Sequence, residues 1–250
     1  MSESYKALCT DFYVNQKLQV KMELPRGRET ILDLFERVRK QFPHMSNFRR
    51  YRDELALESP PGEMPHRWMA IKGTHLRTGV VNAASIDDAS ALHRFVLDVA
   101  PSFLSISALD VDCLELLFGF DLMATGNHNQ IVLDALLAGS PLHSLVDIPD
   151  ATIANFQPGV GLTLGKSRDI EIFFEIKTHA TEHRARDPQA TGTGEPISVY
   201  VTLRKMGPIS DIKELPGIYD RLTTLGQELV EERVVSGVLV PLREVIGTSG

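Results

Sequence analysis

Residues 17–24 read Lys-Leu-Gln-Val-Lys-Met-Glu-Leu, a strict alternation of polar and apolar side chains. Successive side chains of a β-strand point to opposite faces of its sheet, so the alternation predicts a strand with one buried face. The predicted strand covers residues 7–24 and ends before Pro25. The residues expected to face the core are Leu18, Val20, Met22 and Leu24.

The spacing of apolar residues predicts the other elements. Residues 28–42 repeat apolar side chains at helical spacing, and Pro43 stops this helix. Ser85 and Asp88 have the spacing of a capping box and predict a helix that runs to about Val99. Two more helices are predicted at about 128–138 and 211–233, and strands at 46–58, 67–82, 106–124, 151–164, 168–178 and 197–205.

The order of these segments predicts the fold class. Residues 1–124 run strand, helix, strand, strand, helix, strand, which is the order of a ferredoxin-like βαββαβ unit. Residues 125–250 give a second half that shares or adjoins the strand near 108–124. The prediction is an α+β fold of two tandem ferredoxin-like halves with antiparallel sheet, packed closely as two domains or as one.

The C-terminal segment 234–246 fits two interpretations. Its β-branched residues, together with Gly237 and Pro241, favour a strand that closes the second half. A helix that extends the preceding one is the alternative, since several apolar residues recur at helical spacing. These residues are Val234, Val238, Leu242 and Val245.

Composition excludes several classes of protein. The chain has 250 residues, of which 43% are hydrophobic and 24% charged, and this is typical of a soluble globular protein rather than a disordered one. Two cysteines exclude a disulfide scaffold. The net charge of -7 disfavours nucleic-acid binding, and no apolar run is long enough for a membrane span. No signal peptide is evident, so a cytoplasmic location is expected.

One segment has the spacing of a metal site. His179-Ala-Thr-Glu182-His183 matches the inverted zinc motif, in which two histidines on one helical face bind zinc and the glutamate acts as a base. The preceding residues alternate as a strand, however, and strand geometry would separate the two histidines by about 13 Å. The sequence therefore gives no evident metal or cofactor, and His179 and His183 are kept only as weak metal candidates.

Basic residues cluster in the first half. Arg49 and Arg52 lie on one predicted strand, and Arg67, His75 and Arg77 lie on the next. Parity along the second strand places these last three residues on one face and Lys72 on the other. Arginine offers a planar fork to phosphate or carboxylate groups, so Arg49, Arg52, Arg67 and Arg77 are the candidate ligand-binding residues. Neighbouring acidic residues such as Glu54 and Glu58 would otherwise neutralise them.

These patterns predict a binding or interaction protein without a recognisable catalytic motif. Its expected partner is an anionic small molecule or a protein, and a homodimer is a further expectation. No nucleic-acid or membrane partner is expected. The alternative is a metal-dependent or acid-base enzyme with a site between the halves, beneath the polar loop 183–196. Its candidate catalytic residues would be His75, His179, Glu182 and His183.

Overall fold

The alternating stretch near the start of the chain forms the centre of a nine-stranded sheet. The computed structural model describes residues 4–165, 167–178 and 195–248. Within these ranges the strands are β1 (Asp11–Val20), β2 (Asn47–Tyr51), β3 (Glu54–Glu58), β4 (His66–Lys72), β5 (His75–Val81), β6 (Val111–Leu122), β7 (Gly159–Leu164), β8 (Ile170–Lys177) and β9 (Ile197–Met206). The α-helices are α1 (Arg28–Gln41), α2 (Ile86–Leu104), α3 (His128–Leu137), α4 (Leu215–Leu229) and α5 (Val240–Thr248).

All neighbouring strands of the sheet are antiparallel. Their order is β2-β3-β4-β5-β1-β6-β9-β8-β7, so that β1 and β6 form the middle pair. A meander of four strands lies on one side of this pair, and a meander of three strands lies on the other. The fold is thus α+β with one large antiparallel sheet, and β2 and β7 are its two edges.

The helices cover one face of the sheet. Residues of β1 alternate between buried and half-buried over its whole length, and the even-numbered ones belong to the core. Helix α2 contacts α1, α4 and β5, and α3 contacts α5. The predicted capping box is confirmed, because the Ser85 side chain accepts a hydrogen bond from the Asp88 N–H at 3.1 Å. None of the described helices is both long and apolar enough to span a bilayer.

The first strand is shorter than its alternation predicts. It ends at Val20, and Met22, which was expected in the core, is 69% exposed. The backbone N–H of Met22 donates to the Asp110 carboxylate instead of a neighbouring strand. The Asp110 side chain thus takes the place of one backbone acceptor, while the N–H groups of Lys21 and Leu24 still donate to backbone carbonyls, and Leu24 is buried again.

Two segments that were predicted as single strands are hairpins. Residues 46–58 form β2 and β3, and residues 67–82 contain β5 and most of β4. Each hairpin turns over two residues, and in the second Gly73 has φ of 54°, the left-handed conformation that glycine adopts without strain. The segment 151–164 also differs, because only Gly159–Leu164 is extended within it.

The C-terminal segment is helical, so of the two interpretations of residues 234–246 the helical extension is confirmed and the closing strand is wrong. Val230–Leu239 is a π-helix that joins α4 to α5, and Val234 and Leu242 are buried. The N–H of Val240 donates to the carbonyl five residues back, which is the π pattern. Pro241 lacks the N–H that an α-helix would use, so a wider turn just before it avoids a conflict that would otherwise break the helix.

Candidate binding surface

The sheet has a second face, on which no helix packs in the part of the chain that the structure describes. The odd-numbered residues of β1 lie on it, and the strand register places side chains from all nine strands beside them. We call this surface the open face. Its central residues are Tyr13, Asn15 and Lys17 of β1, Arg77 and Gly79 of β5, Glu115 and Gly119 of β6, and Tyr200 and Arg204 of β9.

Aromatic rings on the open face lie over glycines of neighbouring strands. Trp68 is directly opposite Gly79 in the β4–β5 register, and Tyr13 is opposite Gly119 in the β1–β6 register. A methyl group added at either glycine would overlap the ring opposite it. Such pairs let a ring lie against the backbone and fill the gap left by the missing side chain. The rings are therefore held in place by the sheet itself.

The third aromatic–glycine pair lies near the other edge. Phe173 of β8 is opposite Gly161 of β7, and a methyl group at Gly161 would come within 3.2 Å of the ring. An arginine guanidinium also lies over each of the Trp68 and Phe173 rings. The Arg77 guanidinium lies 5.8 Å from the Trp68 ring centroid, and that of Arg204 lies 5.2 Å from the Phe173 ring centroid. These distances are typical of cation–π contacts.

The same arginines are bound to carboxylates. Arg77 forms a short ion pair with Glu54 of β3. Arg204 pairs with Glu115 at 2.6 Å and with Glu171 at 3.3 Å, from the strands on either side of it. Arg204 thus binds carboxylates through all three of its guanidinium nitrogens, and Arg77 binds one through a single nitrogen. An incoming phosphate or carboxylate would have to compete with these ion pairs.

Tyr13 belongs to a hydrogen-bonded cluster at the end of the open face. Its hydroxyl donates to Asp121 Oδ1 at 3.2 Å, and the Ser198 hydroxyl donates to the same oxygen at 2.6 Å. The Tyr200 ring lies 6.5 Å from the Tyr13 ring. Burial, followed by the hydrogen bond with Tyr200 and the charge of Asp121, raises the pKa of Tyr13 far above its ordinary value. The Tyr13 hydroxyl is therefore a fixed donor at neutral pH and not an acid-base group.

The open face brings together some of the candidate ligand-binding residues. Arg49 and Arg77 lie on it, and Arg49 pairs with Glu58 at 3.4 Å. Arg52 lies in the turn between β2 and β3 and is exposed. The four arginines proposed from sequence therefore do not converge on one site.

Arg67 is on the opposite face from the one that parity predicted. It is paired with Val80, which is buried on the helix side, and its guanidinium binds Asp88 at the start of α2. Lys72 and His75 are paired with each other and share the open face with Arg77. The prediction grouped Arg67 with His75 and Arg77 because it counted residues 67–82 as one strand, and the turn at Gly73 resets the alternation.

The described part of the chain shows no catalytic centre built from the remaining candidates. His179, Glu182, His183 and most of the 183–196 loop lie outside the described residues. Within the described ranges, no group of three or more His, Cys, Asp or Glu side chains could hold a metal ion. Burial raises the pKa of the Cys9 thiol to about 11 and also raises that of Cys113, so neither is a thiolate nucleophile at neutral pH.

Sequence reasoning missed the aromatic–glycine pairs and one buried polar cluster. Glycine inside a strand pattern signals close approach of another group, but only the register reveals which ring approaches. The cluster lies beneath the sheet, where the Thr78 hydroxyl contacts Gln16 Oε1 at 2.8 Å and His93 Nδ1 at 2.6 Å. His93 is fully buried, and burial lowers its pKa to about 3, so its ring is neutral.

The sequence matches no protein-family model, and a comparison with curated proteins finds no significant match. The chemistry of the surface itself therefore carries the functional argument. That chemistry consists of fixed aromatic rings and arginines, with the arginine charges neutralised from within the sheet.

Proposed function

We propose that this is an interaction protein whose open face binds a folded protein partner. The observation that carries the proposal is the pairing of aromatic rings with arginines on the open face, which none of the described helices covers, in the Trp68–Arg77 and Phe173–Arg204 pairs. Tryptophan, tyrosine and arginine are the residues that contribute most to protein–protein binding energy. Their side chains are already held by the sheet, so little conformational entropy is lost when a partner covers them.

Charge favours a protein over an anionic ligand. Among the described residues, Arg49, Arg77 and Arg204 each have a carboxylate partner, which weakens the positive field that these arginines would offer to a phosphate or to a nucleic acid. The complementary surface is expected to be mixed and polar, with aromatic or aliphatic side chains of its own. Nine strands about 4.8 Å apart span roughly 38 Å, which accommodates a standard interface of about 800 Å² per partner.

The proposal extends to location, cofactor and architecture. The interaction is cytoplasmic and needs no cofactor. In architecture, the halves 1–124 and 125–250 are related ferredoxin-like units with extended meanders. The element order supports this, because β1 and β6 are each followed by a helix, a meander and a second helix. Of the residues of the enzyme alternative, His179, Glu182 and His183 lie outside the described residues, and His75 lies on the open face opposite Lys72, so we base the proposal on the open face.

Site-specific photocrosslinking in the native host tests the proposal. Tyr51 and Phe48 make a matched pair on β2, because they are 46% and 51% exposed and lie on opposite faces of the same strand. A benzophenone amino acid placed at Tyr51 is expected to give one protein adduct, and the same group at Phe48 is expected to give none. The Trp68→Ala variant should lose the Tyr51 adduct, because it removes one of the two arginine-paired rings on which the proposed interface depends.

The adduct is identified by mass spectrometry, and the purified partner is then titrated against the wild-type chain and the Trp68→Ala chain. Direct binding that weakens at least tenfold in the variant supports the proposal. Equal adducts from the probes at Tyr51 and Phe48 would overturn the proposal. The absence of an adduct both from the Tyr51 probe and from a second probe at Leu117, in the centre of the face, would also overturn it. Titration with inorganic phosphate tests whether the face binds an anionic ligand instead. Saturable phosphate binding that Arg77→Ala abolishes would also overturn the protein-partner proposal.

A further inference from the structure

We infer that the β7 edge of the sheet pairs with β7 of a second copy of the chain, forming a dimer with one continuous sheet. This surface is independent of the open face. Residues Gly159–Leu164 contain no charged side chain, and the first five of them are exposed. Val160 and Leu162 are 57% and 45% exposed on the side where the helices lie, and in the described part of the chain no strand pairs with the outer edge of β7.

The two edges of the sheet differ in the protection that prevents strand pairing. The β2 edge carries Arg49 and Arg50, with Arg52 and Asp53 directly after it. Charges of this kind at an edge strand block pairing with another chain. The β7 edge lacks them and presents glycine, valine, leucine and threonine. An edge strand of this composition is a template for addition of another strand.

The register within the sheet shows which groups of β7 are free to pair. The Ile176 N–H donates to the Pro158 carbonyl at 3.0 Å, so Pro158 faces β8. Hydrogen-bonding direction alternates along an antiparallel strand, and Val160 and Leu162 therefore also bond to β8. The backbone groups of Gly159, Gly161 and Thr163 consequently point outward.

These outward groups are self-complementary under a two-fold axis. If Gly161 of one copy is opposite Gly161 of the other, then Gly159 is opposite Thr163, and each of these pairs exchanges both of its backbone hydrogen bonds. The same register places Val160 of one copy beside Leu162 of the other, twice. The exposed apolar side chains are thereby covered, and the glycines leave no side chain that would clash on the other face.

The register and the side chains of β7 favour a second copy as the occupant. The two-fold register pairs the outward backbone groups with the same groups of the other copy and covers both Val160 and Leu162, and β7 carries no charge that would repel its copy. Two six-residue strands bury less area than a standard interface, so we expect a dimer that dissociates in the micromolar range.

Sedimentation equilibrium of the full-length chain tests the inference, over roughly 1–100 μM, the range in which such an interface dissociates. The wild-type chain is expected to show a reversible monomer–dimer equilibrium. Leu162→Glu should raise the dimer Kd at least tenfold. The double variant Val160→Lys with Leu162→Glu should recover dimer, because the register brings each lysine beside the partner's glutamate. Phe48→Glu, a similarly exposed site on the other edge strand, should leave Kd unchanged.

A covalent trap checks the register directly. Residue 161 is opposite itself at a Cα separation of about 5.5 Å in the two-fold register, which suits a disulfide. Gly161→Cys should therefore form a covalent dimer on mild oxidation, and Thr163→Cys should not. A wild-type chain that stays monomeric would overturn the inference. A dimer that survives Leu162→Glu, or that is weakened equally by Phe48→Glu, would overturn it as well. Photocrosslinking from Tyr51 is unaffected by either result, so the two proposals fail separately.

Discussion

Acidification is expected to destabilise this protein through His93. The ring is fully buried between α2 and the sheet, and its pKa is about 3 in the folded chain against 6.5 for an ordinary histidine. The unfolded chain therefore binds a proton that the folded chain does not, at every pH between these values. Titration of His93 therefore leaves the free energy of unfolding unchanged above about pH 6.5 and lowers it progressively as the pH falls from there towards 3.

The magnitude follows from the two pKa values. Each pH unit below 6.5 costs about 1.4 kcal/mol while the folded ring stays neutral, so the free energy of unfolding should fall by about 2 kcal/mol between neutral pH and pH 5. Urea unfolding followed by circular dichroism at both pH values measures this difference. His93→Gln removes the titrating ring and should flatten the pH dependence over this interval, although it lowers stability at neutral pH.

His44→Gln is the matched control, because the His44 side chain is 79% exposed and its replacement should leave the pH dependence of the wild-type chain intact. Equal slopes of unfolding free energy against pH for the wild-type chain and His93→Gln would refute the argument. Such a result would mean that His93 is protonated at little cost in the core.

Three further predictions address packing, capping and reactivity. Gly119→Ala should lower the free energy of unfolding by about 1–3 kcal/mol, because the added methyl group overlaps the Tyr13 ring. Gly217→Ala, in α4, adds a methyl group in open space and should raise the free energy of unfolding by up to about 1 kcal/mol. Thermal unfolding of the two variants measures both effects. Ser85→Ala should cost about 1 kcal/mol in urea unfolding, because the first turn of α2 loses its cap. Alkylation of Cys9, followed by mass spectrometry, should be slow at neutral pH and should accelerate towards pH 11.

Local patterns predicted elements wherever one physical signal dominated. The alternation around Leu18, the apolar stripe of α1 and the cap at Ser85 act over a few residues, and each is confirmed. The two hairpin turns escaped detection because each is only two residues long, at 52–53 and 73–74, and the strands on either side were counted as one segment. A turn of two residues places the residues on either side of it on the same face of the sheet, so the odd–even alternation shifts by one position across the turn.

The ion pairs of the candidate site could not be predicted from sequence. Arg77 meets Glu54 across β4, and Arg204 meets Glu115 from a strand that lies 89 residues away in the sequence. These partners depend on strand order, which the sequence pattern leaves open. For 234–246 the sequence favoured the strand over the helical alternative because Gly237 and Pro241 disfavour an α-helix, whereas the chain holds Gly237 in a π-helix and Pro241 near the start of α5.

The position of Trp68 has a practical consequence. It is the only tryptophan in the chain, and its ring lies over Gly79 on the open face with the Arg77 guanidinium nearby. Its fluorescence therefore reports on the water and charges next to this one surface. Strand β7 lies six strand positions away, about 29 Å across the sheet, so pairing at that edge should leave the emission unchanged. The tryptophan emission of an unlabelled sample should thus change when a partner covers the open face and should stay the same when two chains pair through β7.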